Sequence, residues 1–252
     1  GYTGTNYLNM TANNFSEGTI NSFYIDTESS SAGFNWNVSG NTIAGKPMHW
    51  LTGVSNAVYS DFSLFKCYYC TNLTLQDSVV KNMVFSGIYF WGTNYSVINN
   101  VSVLSGIRNI LFYNSNYNNI TNSYINQSTV AIDLNTANNN NIVSSNIIDK
   151  GCSYGIQSVG AYNILTRNNI SSCTATGILS VSNNNATYNK ITSSAIGIVI
   201  NGNPMIVTDN VIQNSTSYGI QGQILSTNNN NTIHNSTLWD YYAYTGGAGN
   251  EG

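Results

Sequence analysis

One six-residue pattern returns along the chain at nearly constant intervals. It runs apolar, variable, usually polar, usually Asn or Ser, variable, apolar. It reads LQDSVV from Leu75, INNVSV from Ile98, ITNSYI from Ile120 and VSSNII from Val143. It continues as LTRNNI from Leu165, ATYNKI from Ala186, VTDNVI from Val207 and IHNSTL from Ile233. The step from one start to the next is nearly uniform and is longest at the end, from Val207 to Ile233. A second apolar element stands just past the middle of each interval, at Ile88, Ile110, Ile132, Ile156, Ile178, Ile198 and Ile220. Most of these isoleucines follow a glycine: Gly87, Gly155, Gly177, Gly197 and Gly219.

A period of roughly 20–30 residues, with short apolar segments between Gly- and Asn-rich corners, is the signature of a solenoid. A leucine-rich repeat would need its leucine consensus and, as a rule, a helical side. Here β-branched residues dominate, and no stretch keeps a helical period. Left-handed β-helices have shorter coils. The expected fold is therefore all-β: a right-handed parallel β-helix with coils of about 21–26 residues. Each coil would lay its strands on those of the coil before, with a rise of roughly 4.8 Å. The isoleucines should form one inward stack.

The same geometry accounts for the asparagines, of which there are 44. Corners of a coil demand positive φ, which Asn and Gly tolerate and β-branched residues do not. Stacked Asn side chains can also bond to one another along a helix axis. Runs of Asn begin at Asn138, Asn183 and Asn228, at equal spacing. They are expected at corners between the Gly-Ile element and the next coil.

The template and its corners resemble NosD-like right-handed β-helix repeats, a branch of the carbohydrate-binding and sugar-hydrolase (CASH) β-helices. The resemblance runs from GNTIAGKPMHWLTG (40–53) through CTNLTLQDSVV (70–80) to about Leu238. It implies the fold, and modules that look like this are common in archaeal cell-surface proteins. NosD itself is linked to copper-site maturation. Two His, four Met and four Cys, without a clustered ligand set, do not support carrying that role over, and neither metal nor cofactor is expected.

The chain divides by pattern into an irregular or capping segment (1–55), the β-helix (56–238) and an aromatic, Gly-rich tail (239–252). Cys152 and Cys173 occupy nearly the same place in consecutive coils, so a disulfide between them is expected. Cys67 and Cys70 can form a second, tighter bridge. Disulfides suit an oxidising compartment. With no apolar leader present, the reading is a secreted cell-surface protein whose signal has been removed. Asn-x-Ser/Thr acceptor sequences occur at Asn9, Asn14, Asn37, Asn72, Asn94, Asn100, Asn119, Asn126, Asn169, Asn185, Asn214, Asn230 and Asn235.

Charged residues make up 7% of the chain and the net charge is −3. The few Lys and Arg are scattered and form no basic stripe, which argues against nucleic acid. No apolar run approaches the length of a membrane helix. β-Helix hydrolases need carboxylates at matched columns of neighbouring coils. Asp77, Arg167 and Asp209 share a column but are not neighbours, and Asp133 and Asp149 lie in different elements, so no catalytic set is expected. The favoured function is a structural surface subunit assembling with itself into a filament, sheath or coat. Trp239, Tyr241, Tyr242 and Tyr244 would carry its contacts. The alternative is a glycan-binding or adhesin module, since 18 Tyr and four Trp offer stacking platforms. A polysaccharide lyase or hydrolase comes third, on fold analogy alone.

Overall fold

A computed structural model describes residues 9–16, 37–83, 85–136, 140–202, 205–223 and 227–244. The remainder of the 1–55 segment, the tail beyond residue 244 and part of the first Asn run lie outside them. Among the described residues every element is a strand, and almost every pairing is parallel. The exception joins Thr42–Ile43 to Lys46–Thr52. Each regular coil contributes three strand segments. Val97–Tyr113 runs through all three without a break.

The third segments carry the predicted stack. Ile88, Ile110, Ile132, Ile156, Ile178, Ile198 and Ile220 pair in that order from coil to coil, and all are fully buried. The column extends beyond them, through Phe65 to His49 at one end and to Tyr241 at the other. Nine steps of roughly 4.8 Å make a cylinder about 43 Å tall. Its interior is filled by this column, by one from the first segments (Leu75, Ile98, Ile120, Val143, Leu165, Ala186, Val207) and by one from the second (Val80, Val103, Ile125, Ile148, Ile170, Ile191, Ile212).

The expected spacing needs two corrections. Ile233 pairs with Ile212, in the second segment. The first segment of that coil opens instead at Asn228, opposite Val207. The last step is therefore of ordinary length, and the pattern slipped because a polar residue stands where an apolar one opens the other coils. At the other end, His49 pairs directly with Phe65, a shorter step than any regular coil. The chain there turns straight from Ser55–Ser60 into Leu64–Tyr68, omitting the second segment.

Glycine precedes the isoleucine column because of crowding. A Cβ at Gly155 would lie 2.6 Å from the Gly177 carbonyl oxygen and 2.7 Å from Ile170 Cγ2. Gly177, Gly197 and Gly219 face the same obstruction from the coil above. Removing the Cβ lets the second-segment isoleucine reach the axis.

Two corners are held by rows of buried asparagine. In one, the backbone N–H and Nδ2 of Asn146 both donate to Asn168 Oδ1. Asn168 donates in the same way to Asn189, Asn189 to Asn210 and Asn210 to Asn231. The other Nδ2 hydrogen goes back to a main-chain carbonyl, as from Asn168 to Val143. Asn118, Asn141, Asn163 and Asn184 form the second row. The Asn runs therefore do mark corners, but not all the same one. Asn141 and Asn184 belong to the corner after the third segment, whereas Asn231 closes the row between the first and second segments. The equal spacing of the runs is a coincidence of register.

Both disulfides are closed. Cys152 pairs with Cys173 across adjacent coils, Cα to Cα 4.6 Å. Cys67 joins Cys70 at the corner before the first segment of the next coil. Alkylation of the unreduced, unfolded protein should label none of the four cysteines. Cys152→Ser with Cys173→Ser should cost about 3 kcal/mol, the value for a loop of this length. Full labelling of native protein would reject the bridges.

Candidate functional site

The outer surface is uneven. On the third sheet, Trp50, Tyr68, Tyr89 and Leu111 point away from the axis yet are buried, packed with Val38 and half-buried Met10, Trp91 and Tyr113. The Lys66 ammonium lies in this cluster, 5.0 Å from the Trp50 ring and 5.5 Å from that of Tyr89. Asp133, also buried, pairs with Arg108 at 2.8 Å. The aromatic cluster is enclosed, and it holds Asn9–Thr11 and Asn37–Ser39 against the solenoid wall.

A different arrangement stands at the corner between the third and first segments. Tyr95 and Tyr117 occupy equivalent positions one coil apart. Their rings are stacked, with centroids 5.0 Å apart and planes within 4°. They remain 61% and 49% exposed. Inward-facing Ser96 and Asn118 follow them and anchor the corner. Tyr162 continues the column above Asn140, exposed and accepting from Asn183 Nδ2 at 3.4 Å. On the near side of the corner, Trp91 and Tyr113 stack at 4.2 Å. The missing Cβ of Gly92 makes room for exposed Tyr69. Positive φ at Tyr95 and Tyr117 (55° and 57°) is shared by corner residues throughout the chain, so it reflects the fold and not a special strain. Solvent-exposed, preordered aromatic rings offer flat apolar faces with a polar edge.

Among the described residues the carboxylates do not converge. Asp77 accepts from Asn100 at 2.7 Å, Asp149 from Ser171 at 2.7 Å, and Asp61 meets Lys46. The Arg167 guanidinium lies over the Tyr188 ring. No group of three or more His, Cys, Asp or Glu side chains able to hold a metal occurs among the described residues, and no helix there is long and apolar enough to cross a membrane.

His49 packs inside the first coil against Tyr59, Phe65 and Phe62, at 4.7, 5.5 and 6.3 Å between ring centroids. Burial holds its pKa below the ordinary 6.5. The unfolded chain therefore takes up this proton first as pH falls. Stability should be intact above about pH 6.5 and decline below it, until the folded ring protonates as well. Urea midpoints measured between pH 7.5 and 5 should show that decline, and His49→Phe should flatten it. An unchanged profile in the variant would clear His49 of the effect.

The acceptor asparagines all lie at the surface. Asn9, Asn14, Asn37, Asn72, Asn100, Asn169, Asn214, Asn230 and Asn235 are exposed, and Asn94, Asn119, Asn126 and Asn185 are half-buried. No buried Asn belongs to an acceptor sequence. The fold enforces this separation, because a row Asn such as Asn146, Asn168 or Asn189 is followed two positions later by an inward isoleucine. The aromatic end strand Trp239–Tyr244 pairs within the chain, on Tyr218–Gln223. There Tyr242 stacks on Tyr218 at 5.1 Å, and Trp239, Tyr241 and Tyr242 all stay exposed.

A three-sided parallel coil stack with inward aliphatic columns and Asn-lined corners defines a β-helix. A profile of the right-handed β-helix region matches residues 63–205, and the chain belongs to that family. No curated protein sequence matches it. Solved structures similar in fold include an alginate lyase from Paenibacillus sp. str. FPU-7, with 11% identity and a TM-score of 0.51, covering 92% of this chain and 98% of that one. The A-module of the Azotobacter vinelandii mannuronan C-5 epimerase aligns at 14% identity and 0.51, covering 84% and 74%. DFA-IIIase from Arthrobacter chlorophenolicus A6, solved with GF2, aligns at 12% and 0.52, covering 97% and 72%. The expectation of a self-assembling structural subunit is overturned by this finding, since the similar structures are carbohydrate-acting enzymes. Stackable coils had suggested assembly, but coils stack within any solenoid.

Proposed function

We propose that this protein is a secreted carbohydrate-binding β-helix, with the tyrosine corner as its binding surface. The observation that carries the reading is the parallel, exposed pair Tyr95 and Tyr117. A monomer gains little stability from holding two aromatic rings in water, whereas the face of a sugar ring covers them well. Similarity to carbohydrate-acting enzymes supports the ligand class. The scatter of the described carboxylates favours binding over turnover. The two disulfides support an oxidising, extracellular setting. Outward acceptor asparagines away from the tyrosine corner, such as Asn100, Asn169 and Asn214, support N-glycosylation, and the repeat template supports placement in the NosD-like branch, with an archaeal cell surface as its setting.

Affinity electrophoresis through gels containing a panel of polysaccharides should show retardation by at least one polymer. Tyr95→Ala with Tyr117→Ala should weaken it tenfold or more, about 1.4 kcal/mol. Tyr→Phe at both positions should keep most of it. No retardation by any polymer, or equal retardation of the double alanine variant, would sink the reading. Release of reducing or unsaturated ends would replace binding with catalysis.

A further inference from the structure

The distribution of charge around the helix says more about the ligand. The corner after the third segment and the whole first segment form a continuous strip up one side. It comprises residues 54–60, 70–76, 92–99, 114–121, 140–144, 159–166, 181–187 and 205–208. None of these positions carries Asp, Glu, Lys or Arg, although the strip is long enough for the chain's 7% average to place several there. Every charged residue between 61 and 190 lies on the other two sides or at the corners beyond.

Tyr95, Tyr117 and Tyr162 rise along one edge of this strip. From first to last they span three coil steps, roughly 14 Å parallel to the axis. Beside them the first segments turn outward amides and hydroxyls, such as Asn99 and Thr121, which bond to each other at 3.1 Å. Ile164 and Ile206, 37% and 43% exposed, add apolar surface. These groups match sugar hydroxyls and C–H faces. They provide nothing to neutralise a carboxylate, and bringing an unpaired anion onto such a surface is costly. The net charge of −3 adds repulsion at long range.

We infer that the ligand is an uncharged polysaccharide lying along the helix axis, and not a uronate polymer such as the alginate for which one similar enzyme is named. This inference rests on the carbohydrate-binding reading above. The test compares neutral polymers (glucan, mannan, galactan, fructan) with alginate and polygalacturonate, each at low and at high salt. Retardation by a neutral polymer, unchanged by salt, is expected. Tyr162→Ala should weaken binding of the polymer several-fold and leave a disaccharide of the same sugar unaffected.

Preferential binding of alginate or polygalacturonate, lost at high salt, would overturn the inference while leaving the carbohydrate-binding reading standing. Equal loss of polymer and disaccharide in the Tyr162 variant would overturn the axial placement. Failure of every polymer removes both readings together.

Discussion

Asn168→Ala is expected to destabilise the protein severely, because it strands two buried backbone groups at once, each costing about 1–3 kcal/mol. The substitution removes the acceptor for the Asn146 backbone N–H and the donor to the Val143 carbonyl. Both groups lie where water does not reach, since Asn146 and Asn168 are each 1% exposed and Val143 is fully buried. Equilibrium unfolding in urea, followed by far-UV circular dichroism, gives the shift. Asn169→Ala, one residue on and outward-facing, should stay within about 0.5 kcal/mol of the parent. Equal effects from the two substitutions would show that the row contributes little.

Ile156→Ala should lower stability by about 2–5 kcal/mol through the cavity it opens. Ile156 is fully buried between Ile132 and Ile178. The coils above and below are tied by backbone pairing, so the space cannot close by a shift of one strand. In a solenoid each coil contacts only its neighbours, so the loss is local and uncouples the two halves. A second unfolding step should then appear, with the coils before Ile156 and those after it melting at different urea concentrations. A single transition at the parent midpoint would contradict the packing argument.

The isoleucine column was legible in the sequence because the same residue type recurs in the same place, and that repetition is what the packing requires. The column's ends were not, because His49 and Tyr241 fill the inward position with other chemistry. Ile233 shows the opposite failure: the correct residue type at the wrong register. Periodicity also placed Cys152 opposite Cys173. The tyrosine corner was harder. Tyr95 and Tyr117 are one coil apart in sequence, yet Tyr is common in strands. Only the register reveals that these two stand outside a corner. The buried cluster of Trp50, Tyr68 and Tyr89 was invisible for a related reason. Alternation places those residues outward, and the N-terminal strands that cover them lie far away in sequence.

The two asparagine rows give the molecule unlike ends. Every row carbonyl accepts from the coil before it, from Ser96 and Ser123 at the bottom to Asn184 and Asn231 at the top. The amide carbonyls of both rows thus point toward the first coils, with their hydrogens supplied from that side. Sheet hydrogen bonds alternate in direction and largely cancel as dipoles. The amide rows do not, and they run in parallel. The column is therefore electrically polar along its length although it is almost free of formal charge, with the negative pole at the N-terminal coils.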